Sequence, residues 1–247
     1  MRIQLLAAAA LIIPTGLAAQ SLAARVANAP DGQVHFSYAA RPGVCGNGTN
    51  SISVHDRDDQ DWVGDCESGP VRVALTVAHG QVERLHTYVG GHWRQGSGTD
   101  LGMVRAADAA DYLLDLGSRI SHKGGDAIFA ATLADSVEVW PRLVKLAQNQ
   151  NVPKENRRSA IFWLGQAAGD RITASLDSIA MAPGEREIRD AAVFALSQRP
   201  HDEGVPALIN VARTNPDPQT RRKALFWLGQ SEDPRAVALF EEILEGN

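Results

Sequence analysis

The feature of this sequence that most restricts its fold is a seven-residue segment that recurs at constant spacing. The segment Ala160–Gln166 reads AIFWLGQ, and it returns as AVFALSQ at Ala192–Gln198 and as ALFWLGQ at Ala224–Gln230. The three copies start 32 residues apart, and a looser copy, Ala127–Phe129, starts 33 residues before the first of them. Constant spacing of this size is typical of proteins that stack one supersecondary unit many times.

Each copy predicts a pair of helices. Ala160, Trp163 and Leu164 lie at i, i+3 and i+4, which places them on one helical face, and a second amphipathic pattern follows every copy. One helix pair cannot bury its own apolar face, whereas stacked pairs bury a continuous core. The sequence therefore predicts a mainly α protein whose residues 99–247 form a short right-handed α-solenoid of about four helix pairs. We expect a helix over Ala106–Leu116 to cap its beginning.

Residues 24–98 predict a small β-rich domain, because apolar and polar residues alternate there. We expect strands at Gln33–Tyr38 and Thr49–Val54, and a hairpin whose strands Val71–Val77 and Gln81–Val89 are joined at His79-Gly80. A lone hairpin is only marginally stable in water. We therefore expect this domain to pack against the N-terminal end of the solenoid.

The first 23 residues predict a secretory signal peptide. Arg2 gives a positive start, Leu5–Ala19 is an apolar run, and small residues supply cleavage points near Ala19 or Ala23. An uncleaved N-terminal anchor is the alternative, which we favour less. No second long apolar stretch follows, so we expect no membrane span after cleavage. The predicted location is the periplasm or the exterior of a bacterial cell.

The two cysteines, Cys45 and Cys66, both lie in the predicted β-rich domain. They predict a disulfide, which an oxidising compartment outside the cytoplasm would preserve. On the chain-entropy description such a bridge contributes about 3 kcal/mol. Their spacing does not match a CxxC redox pair, and two sulfur ligands are too few for a structural zinc site.

Charge and motifs argue against several functions. The formal net charge is −5, so the chain lacks the basic field with which proteins hold nucleic-acid phosphates. No HExxH motif, nucleophile elbow or phosphate-binding loop is found, and we expect neither catalysis nor a cofactor. The acidic stretch His55–Asp61, with Asp65 and Glu67, fits a solvated loop better than a calcium loop. His86 and His92 are a weak metal-binding pair.

Two sets of repeated residues are candidates for binding a partner. Arg157, Arg189 and Arg221 share one repeat position, and Arg158 and Arg222 stand beside two of them. Such a row of guanidinium groups could bind carboxylates of an extended partner segment. We favour the alternative, in which each arginine pairs with an acidic residue near the turns of adjacent units. The acidic residues expected in that role are Asp170, Asp202 and Asp233.

Trp163 and Trp227 form the second set, since they also share a repeat position. Exposed tryptophans are good interface anchors. Core packing is the interpretation we favour, because the equivalent residue of the middle copy is Ala195 and a continuous aromatic stripe is therefore interrupted.

The repeats resemble bacterial HEAT-like repeats of the type named after phycobilin lyases. The pattern consists of an arginine near the helix start, a small alanine pair, a Leu-Gly exit, an acidic cap and a Val-Pro-x-Leu second helix, and in this copy Ser197 replaces the usual glycine of the exit. Here it is carried by Glu187–Arg189, Ala191-Ala192, Ala195-Leu196, Asp202 and Val205–Leu208. Thr87–Gly91 and Ala110–Leu114 also look like the front part of exported bacterial HEAT-repeat proteins. The resemblance implies the fold over residues 120–247 and leaves the activity open.

Three functions follow from these patterns. The leading one is a non-catalytic scaffold in the periplasm or outside the cell, which binds a protein or peptide through its repeats. In the second, the β-rich domain binds a small ligand, a glycan or a metal, and the helices support it. The third and weakest is a lyase-like enzyme subunit.

Overall fold

The computed structural model describes residues 20–54, 66–91, 97–167 and 169–246, and these form seven strands and ten helices. The strands are β1 (Gly32–Tyr38), β2 (Val44–Gly46), β3 (Ile52–Val54), β4 (Glu67–Ser68), β5 (Val71–Ala78), β6 (Gln81–Tyr88) and β7 (Thr99–Met103). The helices are α1 (Leu22–Ala27), α2 (Ala106–Arg119), α3 (Gly124–Thr132), α4 (Trp140–Gln148), α5 (Lys154–Gly165), α6 (Asp170–Met181), α7 (Arg186–Ser197), α8 (His201–Thr214), α9 (Pro218–Gly229) and α10 (Pro234–Glu245).

The larger sheet has four strands in the order β6-β5-β1-β7. The predicted hairpin is confirmed as β5 and β6, which pair antiparallel through the turn at His79 and Gly80. Both turn residues have positive φ, 53° and 71°, as a tight hairpin turn requires. The predicted domain boundary at residue 98 falls before strand β7, which pairs parallel to β1, so the sheet extends to Met103.

A smaller sheet in the order β3-β2-β4 lies beside the first. The strand expected over Thr49–Val54 is limited to Ile52–Val54, because the Asn47 side chain accepts hydrogen bonds from three successive backbone amides and holds residues 49–51 in a turn. The predicted disulfide is confirmed: Cys45 on β2 is bonded to Cys66, just before β4. Gly90 has a φ of +68°, and a Cβ there would overlap the carbonyl oxygen of Gly46, so only glycine fits where the sheets meet.

The larger sheet packs on the first helices of the array, as expected. The Phe36 ring meets the Tyr112 ring of α2 edge to face at 6.0 Å. The Tyr38 hydroxyl is buried and donates to the Ala130 carbonyl of α3 at 2.5 Å. Sheet and helices therefore share one continuous hydrophobic core.

Helices α2 to α10 form the predicted solenoid in two layers. The inner layer consists of α3, α5, α7 and α9, in which each helix contacts the next, and the outer layer consists of α2, α4, α6, α8 and α10. The closest packing within hairpins joins α2 to α3, α4 to α5, α6 to α7 and α8 to α9. The helix predicted as a cap is therefore the first member of a packed pair. Across the described ranges, no helix has the length and apolar character that crossing a membrane requires.

Candidate functional site: an aromatic groove on the inner helices

The inner helices place one phenylalanine from each unit in a row. Phe129, Phe162, Phe194 and Phe226 hold the same repeat position on α3, α5, α7 and α9. Stacked units bring equivalent positions side by side, so a residue type that occurs at one position of every unit forms a row along the array. Phe162 is 45% exposed and Phe226 55% exposed, although the residue before Phe162, Ile161, is fully buried. The row therefore lies at the surface of the inner layer.

The two tryptophans pack within this row and are partly buried. Trp163 stacks on Phe129 with ring centroids 4.8 Å apart, and it meets Phe162 edge to face at 5.0 Å. Trp227 is 5.2 Å from Phe194 and 5.0 Å from Phe226. Each tryptophan thus contributes both to packing between units and to the exposed aromatic surface.

A groove of about 630 Å³ lies between the two aromatic clusters, and its apolar walls are Phe162, Trp163, Phe194 and Trp227. The middle copy has alanine, Ala195, at the position that is tryptophan in the copies on either side of it. Ala195 is buried, and a Cβ added to Gly165 would lie only 3.1 Å from the Ala195 Cβ, so α5 and α7 approach closely there. Ala195 thus contributes no ring where the equivalent residues Trp163 and Trp227 do.

Most of the charged residues at the groove are engaged by neighbours. Arg158 Nη1 lies 3.5 Å from Glu155 Oε2, and Lys154 Nζ lies 3.6 Å from Glu187 Oε1. The backbone amide of Glu187 and then Lys154 lower the pKa of the Glu187 carboxyl. Lys223 Nζ lies 6.0 Å from the centre of the Phe226 ring, within reach of a cation–π contact.

Two polar atoms of the groove lack partners. Asp190 Oδ1 and Trp227 Nε1 are buried and have no hydrogen-bond partner among the described residues. Buried polar atoms in native proteins are nearly all paired, so such exceptions need an explanation. Asp190 holds the repeat position that is arginine in the copies before and after it, at Arg158 and Arg222. The middle unit therefore puts a carboxylate where its neighbours put a guanidinium.

The predicted arginine row lies elsewhere and contacts the protein itself. Arg157 is 5% exposed, and it donates to the Ala147 carbonyl at 3.0 Å and to Glu185 Oε1 at 2.6 Å. Arg189 donates to Asp217 Oδ2 at 2.7 Å and to Thr220 Oγ1 at 3.2 Å.

Arg221, the third member, donates to the Asn215 carbonyl at 2.8 Å. The carboxylates that receive Arg157 and Arg189 belong to the residues just before α7 and α9 and are not the expected Asp202 or Asp233. Of the two, only Asp217 also caps its helix, by accepting from the Gln219 amide. The Asp233 carboxylate instead accepts from Arg235, and the side chain of Asp170 lies outside the described residues. Arg158 lines the groove, whereas Arg222 is exposed at its edge near Phe226.

Sequence reasoning missed the phenylalanine row and Asp190. The signal for the phenylalanines was present, because they recur in all four copies, which neither the arginines nor the tryptophans do. The signal for Asp190 was its departure from arginine at a repeated position. Neither pattern alone distinguishes a buried row from an exposed one.

The β-rich part has a smaller cleft of about 350 Å³, where His86, Thr87 and Ile52 face Asp126 and Phe129 of α3. Phe129 links this cleft to the Trp163 stack. The described residues contain no group of three metal-ligating side chains. The acidic stretch of residues 55–65 and the His92-Trp93 pair lie outside the described residues.

The family described as HEAT repeats matches residues 173–247, which cover α6 to α10 except for the first turn of α6 and include two of the three close copies. This match supports a HEAT-repeat protein, and HEAT repeats generally mediate protein interactions. No curated protein matches the chain.

Proposed function

We propose that this protein is a non-catalytic scaffold that binds a segment of a partner protein in the aromatic groove of its inner helices. The observation that carries the proposal is a groove lined by the exposed Phe162, the two tryptophans and Phe194, with the exposed Phe226 packed on Trp227 beside it. Aromatic side chains that converge on a concave surface are typical of the anchor points of protein interfaces. The match to HEAT repeats supports the same class of function.

The composition of the groove favours binding over catalysis. Its walls carry no histidine or cysteine among the described residues, and the hydroxyl of Ser159 donates to the backbone carbonyl of Glu155. A nucleophile needs an adjacent base, and a general acid or base needs a shifted pKa near the working pH. The groove offers apolar area with a few charges at its rim, which is the composition expected of a recognition surface.

Site-specific photo-crosslinking tests the location of the interface. A photoreactive phenylalanine analogue would replace Phe162 in one variant, Phe226 in a second and Val237 in a third. Val237 is a matched control, because it is 52% exposed but lies on α10 in the outer layer. We expect the two phenylalanine positions to crosslink the same partner in cells and the control position not to do so.

The opposite result would locate the interface elsewhere. If the Val237 variant gives the same adducts as the two phenylalanine variants, or if it alone gives an adduct, the groove is not the binding surface. Substituting serine for Phe162 and Phe226 supplies a second measurement, because both side chains are largely exposed and can be removed without opening a core cavity. The scaffold proposal requires that this double variant fold normally and lose the partner.

We further propose that the protein is exported by a bacterium, with an N-terminal signal peptide that is removed and the mature chain in the periplasm or outside the cell. The Cys45–Cys66 disulfide supports this location, since such bonds persist in oxidising compartments. Helix α1 favours cleavage near Ala19 over cleavage near Ala23. Ser21 caps α1 and Leu22 is buried, so cleavage after Ala23 would remove both from the folded domain.

Mass spectrometry of the protein recovered from separated cell fractions tests both statements. We expect a chain that begins close to Gln20 in the envelope fraction or the medium. Recovery of the chain with residues 1–19 from the cytoplasm would contradict export. A mature chain that begins at Ala24 would contradict the reasoning from α1.

A further inference from the structure

We infer that the partner segment bound in the groove carries a basic side chain, lysine or arginine, whose charged end lies among the aromatic rings and pairs with Asp190. This inference rests on the proposed function and deepens it, because it states the chemistry of the partner at one position of the groove.

The first argument is the balance of charge in the groove. Glu155 is paired with Arg158, and Glu187 is paired with Lys154. Asp190 differs from both, because its Oδ1 is buried without a hydrogen-bond partner. Burying a carboxylate oxygen away from water without a hydrogen-bond donor costs free energy. A charge-assisted hydrogen bond would offset this desolvation cost. A cationic group from the partner supplies that bond.

The second argument is the aromatic surroundings. The rings of Phe162, Trp163, Phe194 and Trp227 line the same groove as Asp190. The face of an aromatic ring carries negative electrostatic potential and attracts a cation within about 6 Å, most strongly for tryptophan. Rings and carboxylate therefore favour the same ligand charge, and the long aliphatic stem of lysine or arginine fits the apolar walls.

The third argument comes from the repeat itself. Units one period away carry Arg158 and Arg222 at the position of Asp190. An arginine at that place in the middle unit would direct a positive charge at the groove and repel a basic side chain. The reversal from arginine to aspartate occurs in the unit between the two tryptophan-bearing copies, which is where the groove lies.

Arg186 and Arg222 share a neighbouring cleft with Asp190, and the competing cation that lines the groove itself is Lys223. It lines the groove and lies near the Phe226 ring, so it could neutralise Asp190 when no partner is bound. Replacing it with alanine removes this competition. We expect Lys223→Ala to bind a basic segment more tightly than the wild type does, whereas loss of affinity in Lys223→Ala would contradict the inference.

Selection from displayed random peptides of about twelve residues tests the inference with a defined probe. The bait is the mature chain, and the parallel baits are Asp190→Arg and the double variant Phe162→Ser/Phe226→Ser. We expect the wild type to enrich peptides with lysine or arginine at one fixed position between apolar residues. We expect Asp190→Arg to enrich aspartate or glutamate at that position, because the variant reverses the charge that the peptide meets.

A binding cycle then measures the pair directly. Fluorescence anisotropy gives the affinity of a selected peptide and of its version with glutamine at the basic position, for the wild type and for Asp190→Asn. We expect the glutamine change to weaken wild-type binding roughly tenfold, as the loss of one charge-assisted hydrogen bond does, and to have little effect on Asp190→Asn. Far-UV circular dichroism and the urea unfolding midpoint verify that Asp190→Asn is folded.

The outcomes separate the two levels of the proposal. Suppose that peptides bind the wild type and lose affinity for the phenylalanine double variant, but show no preference for a basic residue. This result would overturn the inference and leave the groove as the binding site. The same tenfold loss in wild type and Asp190→Asn would also overturn it, because the basic group would then pair elsewhere. If no enriched peptide depends on Phe162 and Phe226, the proposed function fails, and the inference fails with it.

Discussion

Replacing Arg157 with alanine should destabilise the protein without weakening partner binding, and this contrast distinguishes a structural arginine from a binding one. Arg157 is almost completely buried, and its guanidinium joins two units. It donates to the Ala147 carbonyl at the end of α4 and to the Glu185 carboxylate just before α7. The change therefore removes both contacts together.

The magnitude follows from the two contacts. Loss of the donor leaves the Ala147 carbonyl unpaired in a buried position, which costs about 1 to 3 kcal/mol. The ion pair contributes less, because the Glu185 side chain is 43% exposed, and such a pair contributes about 0.5 to 1 kcal/mol. We therefore expect Arg157→Ala to lower the free energy of unfolding by about 2 to 4 kcal/mol.

Equilibrium urea unfolding followed by far-UV circular dichroism measures this change. Arg158→Ala is the matched control, since Arg158 is the next residue on the same helix, its side chain is 53% exposed and its partner Glu155 is exposed as well. We expect the control to change the free energy of unfolding by less than about 0.5 kcal/mol. A double-mutant cycle of Arg157→Ala with Glu185→Gln should give a coupling of about 0.5 to 1 kcal/mol.

The partner or a selected peptide completes the test. We expect folded Arg157→Ala to bind it with wild-type affinity, because Arg157 faces the next unit and does not line the groove. Unchanged stability together with weakened binding would refute this reasoning and restore the arginine row as a recognition surface.

Three further changes test other parts of the structure. Arg189 and the Gln219 amide lower the pKa of Asp217 to about 2, so the stability contributed by its carboxylate is present above about pH 4 and is lost as the pH falls toward 2. Asp217→Asn should therefore lose less stability over that interval than the wild type, as urea unfolding at several pH values would show. Replacing Cys45 and Cys66 together with serine should destabilise the β-rich part by about 3 kcal/mol, measured against the oxidised wild type. Tyr38→Phe removes the hydrogen bond from β1 to α3 and should cost about 1 kcal/mol in the same assay, whereas no change would mean that the buried hydroxyl is dispensable.

The features that could be predicted from the sequence are those that a local period encodes. Four helical units follow from the recurrence of one segment, and the hairpin follows from alternation on both sides of His79-Gly80. The disulfide follows from the presence of only two cysteines. Each of these conclusions needs only neighbouring residues or a simple count.

The features that could not be predicted depend on residues distant in the chain. Strand β7 has the sequence TDLGM, which does not alternate, and it is a strand because β1 offers an unpaired edge about sixty residues earlier in the chain. The fold of the boundary segment is thus determined by tertiary contact. For the same reason the sequence does not show that α6 packs more closely on α7 than on α5, since a repeat period does not indicate which neighbouring helices pack most closely.

The partners of the arginine row were predicted as a class but not as individuals, although the sequence contains the relevant spacing. Arg157 pairs with Glu185 and Arg189 pairs with Asp217, and each pair is separated by 28 residues. That distance is one period of 32 residues less the four residues from each arginine back to the residue that precedes its own helix, Pro153 for Arg157 and Glu185 for Arg189. A search for opposite charges at one common spacing would have identified both pairs.

The geometry of a single helix explains why one period encodes both a structural row and a recognition row. The arginine and the phenylalanine of a unit are five residues apart, at Arg157 and Phe162 on α5. At about 100° per residue they point about 140° apart around the helix axis. The phenylalanine row must therefore face away from the surface that the arginine row contacts. The arginines contact the next unit near the helix starts, so the phenylalanines lie at the surface of the inner layer. Packing between units leaves part of their rings exposed.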